Sequence, residues 1–93
     1  MRQMTAEKAA EIIRRAYGTW KSQGNEGWMK TVEIFDRADL TIEEAAEGIR
    51  HLFRAGEGFN ASDDPARNEH TELERACQIP LRRDDVIGLV RWR

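Results

Sequence analysis

The segment 40–56 carries the start and stop signals of one helix, and this helix limits the folds open to the chain. Thr41 and Glu44 have the spacing of a capping box, in which each side chain accepts a hydrogen bond from the backbone N–H of the other residue. Leu40 precedes the cap, where an apolar residue can pack against Ala45 one turn later. Gly56 can adopt the left-handed conformation that ends a helix. The sequence therefore predicts a helix that begins after Thr41 and ends before Gly56.

The residues of this helix divide into an apolar stripe and a charged face. Burial is predicted for Ile42, Ala45, Ala46, Ile49, Leu52 and Phe53. The charged face consists of Glu43, Glu44, Glu47, Arg50, His51 and Arg54. Acidic residues at the start of a helix and basic residues at its end complement the helix dipole, so this order of charges indicates a stable helix. The same face also offers another protein a surface of mixed charge.

Ahead of this helix, the sequence predicts two more helices joined by a brief strand. The first covers Ala6–Ser22, with Thr5 as its N-cap. Its apolar stripe comprises Ala9, Ile12, Ile13, Ala16, Tyr17 and Trp20. Residues 28–30 predict the brief strand, and Thr31 is the expected cap of a short second helix. Only residues 36–40 separate this second helix from the third, so the two form a helix-turn-helix arrangement.

After the third helix the pattern changes from helical to extended. Residues 59–61 predict a strand, and residues 62–65 form a turn-rich run. The segment 71–79 begins with a second capping box and has room for one short helix. The tail 86–92 is rich in β-branched and apolar residues, which predicts a single strand that pairs with residues 59–61.

Three helices followed by a strand, an elaborated loop and a final strand form the element order of a winged-helix domain. Four features add to this order: Trp28, the helix over 41–53, the strand at Phe59 and Asn60, and the segment 74–79. With these features, about two thirds of the chain resembles a winged-helix-like (winged helix-turn-helix) domain of uncharacterised actinobacterial and actinobacteriophage proteins. The resemblance implies an α+β fold, with a small antiparallel β wing and a short extra helix after three N-terminal helices. Its motifs are structural, so it bears on fold more than on function.

The composition is typical of one globular domain, which we expect to span residues 1–93. Of the 93 residues, 40% are hydrophobic and 34% are charged, and no apolar run approaches the ~18 residues that a membrane span requires. The N-terminal residues lead into a polar helix without the apolar core of a secretory signal, so a cytoplasmic location is expected. The formal net charge of −2 provides no overall basic field to attract nucleic acid.

The sequence gives little support to an enzyme. Cys77 is the only cysteine, which excludes an internal disulfide and a multi-cysteine zinc site, and we interpret it as a small core residue. His51 and His70 belong to different elements, so no pair of nucleophile and base is indicated. His70 also lacks the spacing to other ligands that known metal motifs have. We therefore expect no catalytic activity, no cofactor and no bound metal.

Protein and DNA are competing ligands for a domain of this kind. In a DNA-binding helix-turn-helix, the N-terminal part of the second of the paired helices enters the major groove. Here that part carries Glu43, Glu44 and Glu47, which would repel phosphates. A second candidate site for nucleic acid lies at the predicted wing, where an aromatic ring lies between guanidinium groups. This basic cluster consists of Arg82, Arg83, Arg91, Trp92 and Arg93. Asp84 and Asp85 reduce its positive charge.

We therefore expect a non-catalytic interaction module that binds a protein partner through the charged face of the third helix. A phage-encoded modulator of a bacterial host protein would fit so small and acidic a chain. The alternative is a DNA-binding transcriptional regulator that uses the helix-turn-helix and the basic wing. The aromatic residues of the first helix further suggest a homodimer surface, unless they close the core of this small domain.

Overall fold

In the part of the chain that the structure describes, three helices and two small antiparallel sheets make up an α+β structure, the fold class that the sequence predicts. The computed structural model describes residues 4–56, 58–62, 72, 76–80 and 86–92. Within these ranges the elements in chain order are α1 (Ala6–Ser22), β1 (Met29–Lys30), α2 (Thr31–Arg37), α3 (Ile42–Ala55), β2 (Phe59–Ser62), β3 (Ile79–Pro80), β4 (Val86–Ile87) and β5 (Leu89–Trp92).

The ends of α3 are those that the sequence predicts. The Thr41 hydroxyl accepts a hydrogen bond from the Glu44 amide at 3.1 Å, and the Glu44 carboxylate accepts one from the Thr41 amide at 2.8 Å. Gly56 ends the helix with a φ of 65°, in the left-handed region. The predicted bounds of α1 and its cap at Thr5 are confirmed as well.

α1 and α3 pack against each other with little space between their backbones. A Cβ atom added to Gly48 of α3 would lie 2.9 Å from the Ala10 nitrogen and 2.9 Å from the Ala9 carbonyl carbon. Such a contact is closer than van der Waals packing allows, so glycine at this position sets the distance between the helices. The residues buried around this contact include Ala9, Ala10, Ile13, Ala45, Ala46, Ile49 and Leu52.

β5 is the central strand of a three-stranded antiparallel sheet with the order β1-β5-β2. Val90 pairs with Met29 of β1 and with Ala61 of β2. Val90 and Met29 are fully buried, so this face of the sheet covers the helices. The predicted pairing of the C-terminal strand with residues 59–61 is therefore confirmed.

The prediction of one strand over residues 86–92 is wrong, because Gly88 divides it into β4 and β5. β4 pairs with β3 in a separate two-stranded sheet, whereas β5 pairs with β1 and β2. The Gly88 amide donates to the Ser62 carbonyl at 3.0 Å, and its carbonyl accepts from the Thr31 amide at 2.9 Å. Gly88 is thus bonded to β2 and to the start of α2 at the point where the chain changes sheets.

Two further predictions need correction. Thr31 is the first residue of α2 rather than its cap, and Lys30 occupies the cap position. Thr31 is buried, and its amide donates to the Gly88 carbonyl. Phe53 was expected in the buried stripe of α3, but 46% of it is exposed, and its ring contacts only the edge of the core through Phe59 at 5.2 Å.

Two segments of interest lie largely or wholly outside the described residues. They are residues 63–65 of the turn-rich run 62–65 and most of the short helix expected over 71–79. Among the residues that the structure describes, no helix combines the length and the apolar character needed to cross a membrane.

Candidate functional site

Four charged residues of α3 form one line along its outward side, which we call the α3 stripe: Glu43, Glu47, Arg50 and Arg54. Their spacings of four, three and four residues bring them onto the same side of an α-helix. Glu43, Glu47 and Arg54 are exposed, and Arg50 is half-buried. The Arg50 guanidinium donates to the Glu47 carboxylate, so the two charges at the centre of the stripe largely cancel each other. With the charge of Glu47 largely cancelled, Glu43 keeps the N-terminal end of the stripe acidic.

The other two residues predicted for this face flank the stripe. Glu44 is half-buried and its carboxylate bonds to the Thr41 amide, so it stabilises the start of α3. His51 is half-buried on the same side of the helix as Glu44. All six predicted residues therefore lie on one surface of α3. Of these six, Glu44 already uses its carboxylate to cap the start of the helix.

Phe53 adds an exposed apolar group next to the α3 stripe. Its exposure was not predicted, because its helical spacing placed it in the core. It precedes Arg54 by one position and so lies about 100° around the helix from it. Its ring begins a series of aromatic contacts, with Phe59 at 5.2 Å, from Phe59 to Trp92 at 4.7 Å, and from Trp92 to Tyr17 at 4.9 Å. The core thus holds Phe53 in place while almost half of it is exposed.

The predicted wing cluster is described in part. Arg82, Arg83 and Arg93 lie outside the described residues. Trp92 is half-buried, and its ring packs between Phe59 and Tyr17, so it belongs to the aromatic contacts of the core. Arg91 is exposed on the opposite face of β5.

Arg91 lies over the ring of Trp28, with 6.0 Å between the guanidinium carbon and the ring centroid. Trp28 is 39% exposed, which makes it one of the two large hydrophobic residues with substantial exposure in the described part of the chain; the other is Phe53. From the sequence, Trp28 was identified only as a feature of the fold and not as part of a site. Arg91 is the penultimate residue of the predicted strand 86–92, and it would have indicated the pair with Trp28 only if the register between β1 and β5 had been known.

The aromatic residues of α1 serve the core of the chain itself. Ile13 is fully buried and Tyr17 is 6% exposed, and the Tyr17 hydroxyl donates to the Gly27 carbonyl at 3.0 Å. Trp20 is half-buried, with its ring 5.7 Å from that of Tyr17. Most of this stripe is thus covered within one chain, and a homodimer formed through it stays a prediction.

Cys77 has the environment of a structural cysteine. It is buried beside α2, where it lines a cleft of about 420 Å³ together with Val32, Phe35 and two acidic residues. Burial raises the pKa of its thiol, which keeps the group neutral at physiological pH and makes it a poor nucleophile. In the described ranges, no group of three or more metal-binding side chains occurs.

Comparison of the chain with protein-family models, with curated protein sequences and with solved structures found no match in any of the three.

Proposed function

We propose that this chain is a non-catalytic winged-helix domain that binds a protein partner through the α3 stripe and Phe53. The fold assignment is supported by the order of elements and by the order β1-β5-β2 of the sheet, with β1 between α1 and α2. In this arrangement α2 and α3 are the helix-turn-helix pair, and α3 is the helix that would face a ligand.

The acidic N-terminal half of α3 is the observation that carries this proposal. Glu43 and Glu47 are exposed where a DNA-binding helix would meet base edges and phosphates. Carboxylates at this position repel the phosphate backbone and release no counterions, so they remove the main source of affinity for duplex DNA. Arg50 offsets only the carboxylate of Glu47, with which it pairs, and Glu43 keeps the N-terminal end of the helix acidic. The same acidic groups suit a protein surface that carries lysine or arginine.

Phe53 defines the chemistry of the partner more closely. Aromatic and arginine side chains supply much of the binding energy in protein interfaces. Phe53 and Arg54 are adjacent and exposed at the C-terminal end of α3, whereas the carboxylates lie toward its N-terminus. The expected partner therefore has an apolar pocket for Phe53, an acidic group near Arg54, and basic groups opposite Glu43 and Glu47.

A DNA-binding transcriptional regulator remains the alternative, and the exposed guanidinium of Arg91 is the observation that favours it. Such a regulator would dock through the wing and the C-terminal end of α3 and would lose affinity steeply as salt rises. A phage-encoded modulator of a bacterial host protein is one biological setting for the proposed protein binding.

The test is an affinity capture with crosslinking from bacterial lysate treated with nuclease, followed by binding measurements on the captured protein. Charge reversal by Glu47→Arg should weaken binding at least about tenfold, because it opposes like charges across the interface. Glu11→Arg is the matched control, since Glu11 is also exposed and also pairs with an arginine on its own helix, Arg15 at 2.7 Å. Phe53→Ser should weaken binding as well, through loss of the apolar anchor.

Equal binding by the wild type, Glu47→Arg and Glu43→Arg would show that the α3 stripe is not the interface. Capture of nucleic acid alone, with affinity that falls steeply with salt and is insensitive to these changes, would favour the DNA-binding alternative.

A further inference from the structure

We propose that the outer face of the three-stranded sheet binds single-stranded nucleic acid, with one base stacked on Trp28 and the adjoining phosphates held by Arg91 and Lys30. This site is separate from the α3 stripe. Val90 and Met29 point from the opposite face of the sheet into the core, so the two proposed surfaces do not overlap.

The strand register brings the residues of this face together. Lys30 pairs with Leu89, which pairs with Ser62; Arg91 pairs with Asn60. One step beyond the pairing of Met29 with Val90, Trp28 comes opposite Arg91, which agrees with their contact at 6.0 Å. Side chains that are directly opposite in an antiparallel pair lie on the same face. The face therefore consists of Trp28, Lys30, Asn60, Ser62, Leu89 and Arg91.

Charge complementarity points to an anionic ligand. The six positions hold two cations and no carboxylate, although the chain as a whole is acidic. At the edge of the sheet, a cleft of about 240 Å³ reaches from Arg91 to α1, and it adds Lys21 and Glu26, whose charges balance. This boundary therefore adds no net charge to the face.

The loop before β1 presents Trp28 in a fixed position. Gly27 has a φ of 83°, which favours glycine, and its carbonyl accepts a hydrogen bond from the Tyr17 hydroxyl at 3.0 Å. Because Tyr17 is itself buried, this bond ties the residue before Trp28 to the core. A rigid aromatic group loses little entropy when a ligand stacks on it, which is the condition for an effective stacking platform.

The combination of an exposed indole and flanking cations favours single strands over duplex DNA. In a duplex the faces of the bases are covered by stacking, so only phosphates are accessible to a flat surface. Single strands expose their bases, and proteins bind them without strong sequence preference by pairing aromatic side chains with a basic surface. An acidic peptide would use the cations and leave the ring of Trp28 without a flat partner.

The test measures binding of a fluorescein-labelled oligothymidylate of about twelve nucleotides, by anisotropy and by quenching of tryptophan emission, as a function of salt. Trp28→Ala should weaken binding at least about fivefold, the lower end of the loss of one stacked base, and Trp28→Phe should retain most of the affinity. Arg91→Ala should weaken binding and reduce the salt dependence by about one phosphate contact.

Two matched controls separate this site from general charge and apolar effects. Phe53→Ala removes the other large exposed aromatic group, and Arg15→Ala removes an arginine whose side chain is 76% exposed on α1. Both should bind the oligonucleotide like the wild type. Since Trp28 and Arg91 lie on the outer face, their variants should keep the wild-type circular dichroism spectrum and thermal melt.

Four results would overturn the proposal. The first is no binding of the oligothymidylate at low salt, and the second is equal affinity of Trp28→Ala and the wild type. The third is displacement of the oligonucleotide by polyglutamate as effectively as by unlabelled single strands, which would make an acidic protein the ligand. Tighter binding of a duplex of the same length would also contradict base stacking on Trp28.

Discussion

Replacing Gly48 with alanine tests the close contact between α1 and α3. The new Cβ would lie 2.9 Å from two backbone atoms of α1, whereas ordinary contacts begin at 3.4 Å, so the helices must separate by at least 0.5 Å (3.4 − 2.9). Overpacking of this kind costs about 1 to 3 kcal/mol. The upper half of that range applies, because the obstructing atoms belong to a helix backbone and cannot rotate away.

A gain in helix propensity offsets part of this loss. Alanine is favoured over glycine in a helix interior by about 1 kcal/mol. We therefore expect Gly48→Ala to lower the free energy of unfolding by about 1 to 2 kcal/mol net. For a domain of this size, that corresponds to a fall in Tm of roughly 4 to 16 °C, at about 4 to 8 °C per kcal/mol.

Gly18→Ala is the matched control. Gly18 lies exposed in α1, and an added Cβ would meet no atom within 4 Å, so only the gain in propensity applies. Its Tm should rise by several degrees, up to about 8 °C. The assay is thermal unfolding followed by circular dichroism, with urea titration for the free energies. If Gly48→Ala stabilised the protein as much as Gly18→Ala, the close approach of the two helices would be refuted.

Three further changes probe the cap, the core and the cysteine. Thr41→Ala should lower the free energy of unfolding by about 1 kcal/mol, measured by urea titration, because the Glu44 amide loses its acceptor; no change would contradict a stabilising cap. Ile49→Asp should abolish the cooperative melt, since Ile49 is fully buried and the carboxylate would have no partner there; an unchanged melt would refute the core assignment. Alkylation of Cys77 should be much slower in the folded protein than in urea, because burial raises the pKa of the thiol. The same shift means that unfolding is increasingly favoured as pH rises above about 8.5, where the thiol of the unfolded chain ionises first; equal alkylation rates in both states would contradict burial.

The features that could be predicted from the sequence are those determined by local chemistry. The capping box at Thr41 and the left-handed Gly56 depend only on residues within one turn, and the structure has both. The α3 stripe follows from helical periodicity alone, so its residues were found before any contact was known. The pairing of β2 with β5 was also predicted, because both segments were expected to be strands that follow α3.

The features that the sequence could not reveal depend on contacts between distant elements. Gly48 has no side chain, so a pattern of apolar residues contains no signal for its close approach to α1. Phe53 has the correct spacing for the core, but it is 46% exposed and its ring contacts Phe59, a residue distant in sequence. The division of the C-terminal strand at Gly88 arises because β4 and β5 have different partners. The pair formed by Trp28 and Arg91 likewise required the register of β1 and β5.

The central position of β5 has a consequence for the rate at which the chain folds. Pairing Phe59 with Trp92 joins residues 33 positions apart (92 − 59), and pairing Met29 with Val90 joins residues 61 positions apart (90 − 29). Loop-closure entropy makes the longer of these closures less favourable by only about 0.5 kcal/mol, but each closure must precede the contacts of its own pair of strands. Proteins with many such distant pairings fold more slowly than helical bundles of equal stability. We therefore expect helix formation in α1 and α3 to be fast, and assembly of the sheet around β5 to be the slow step.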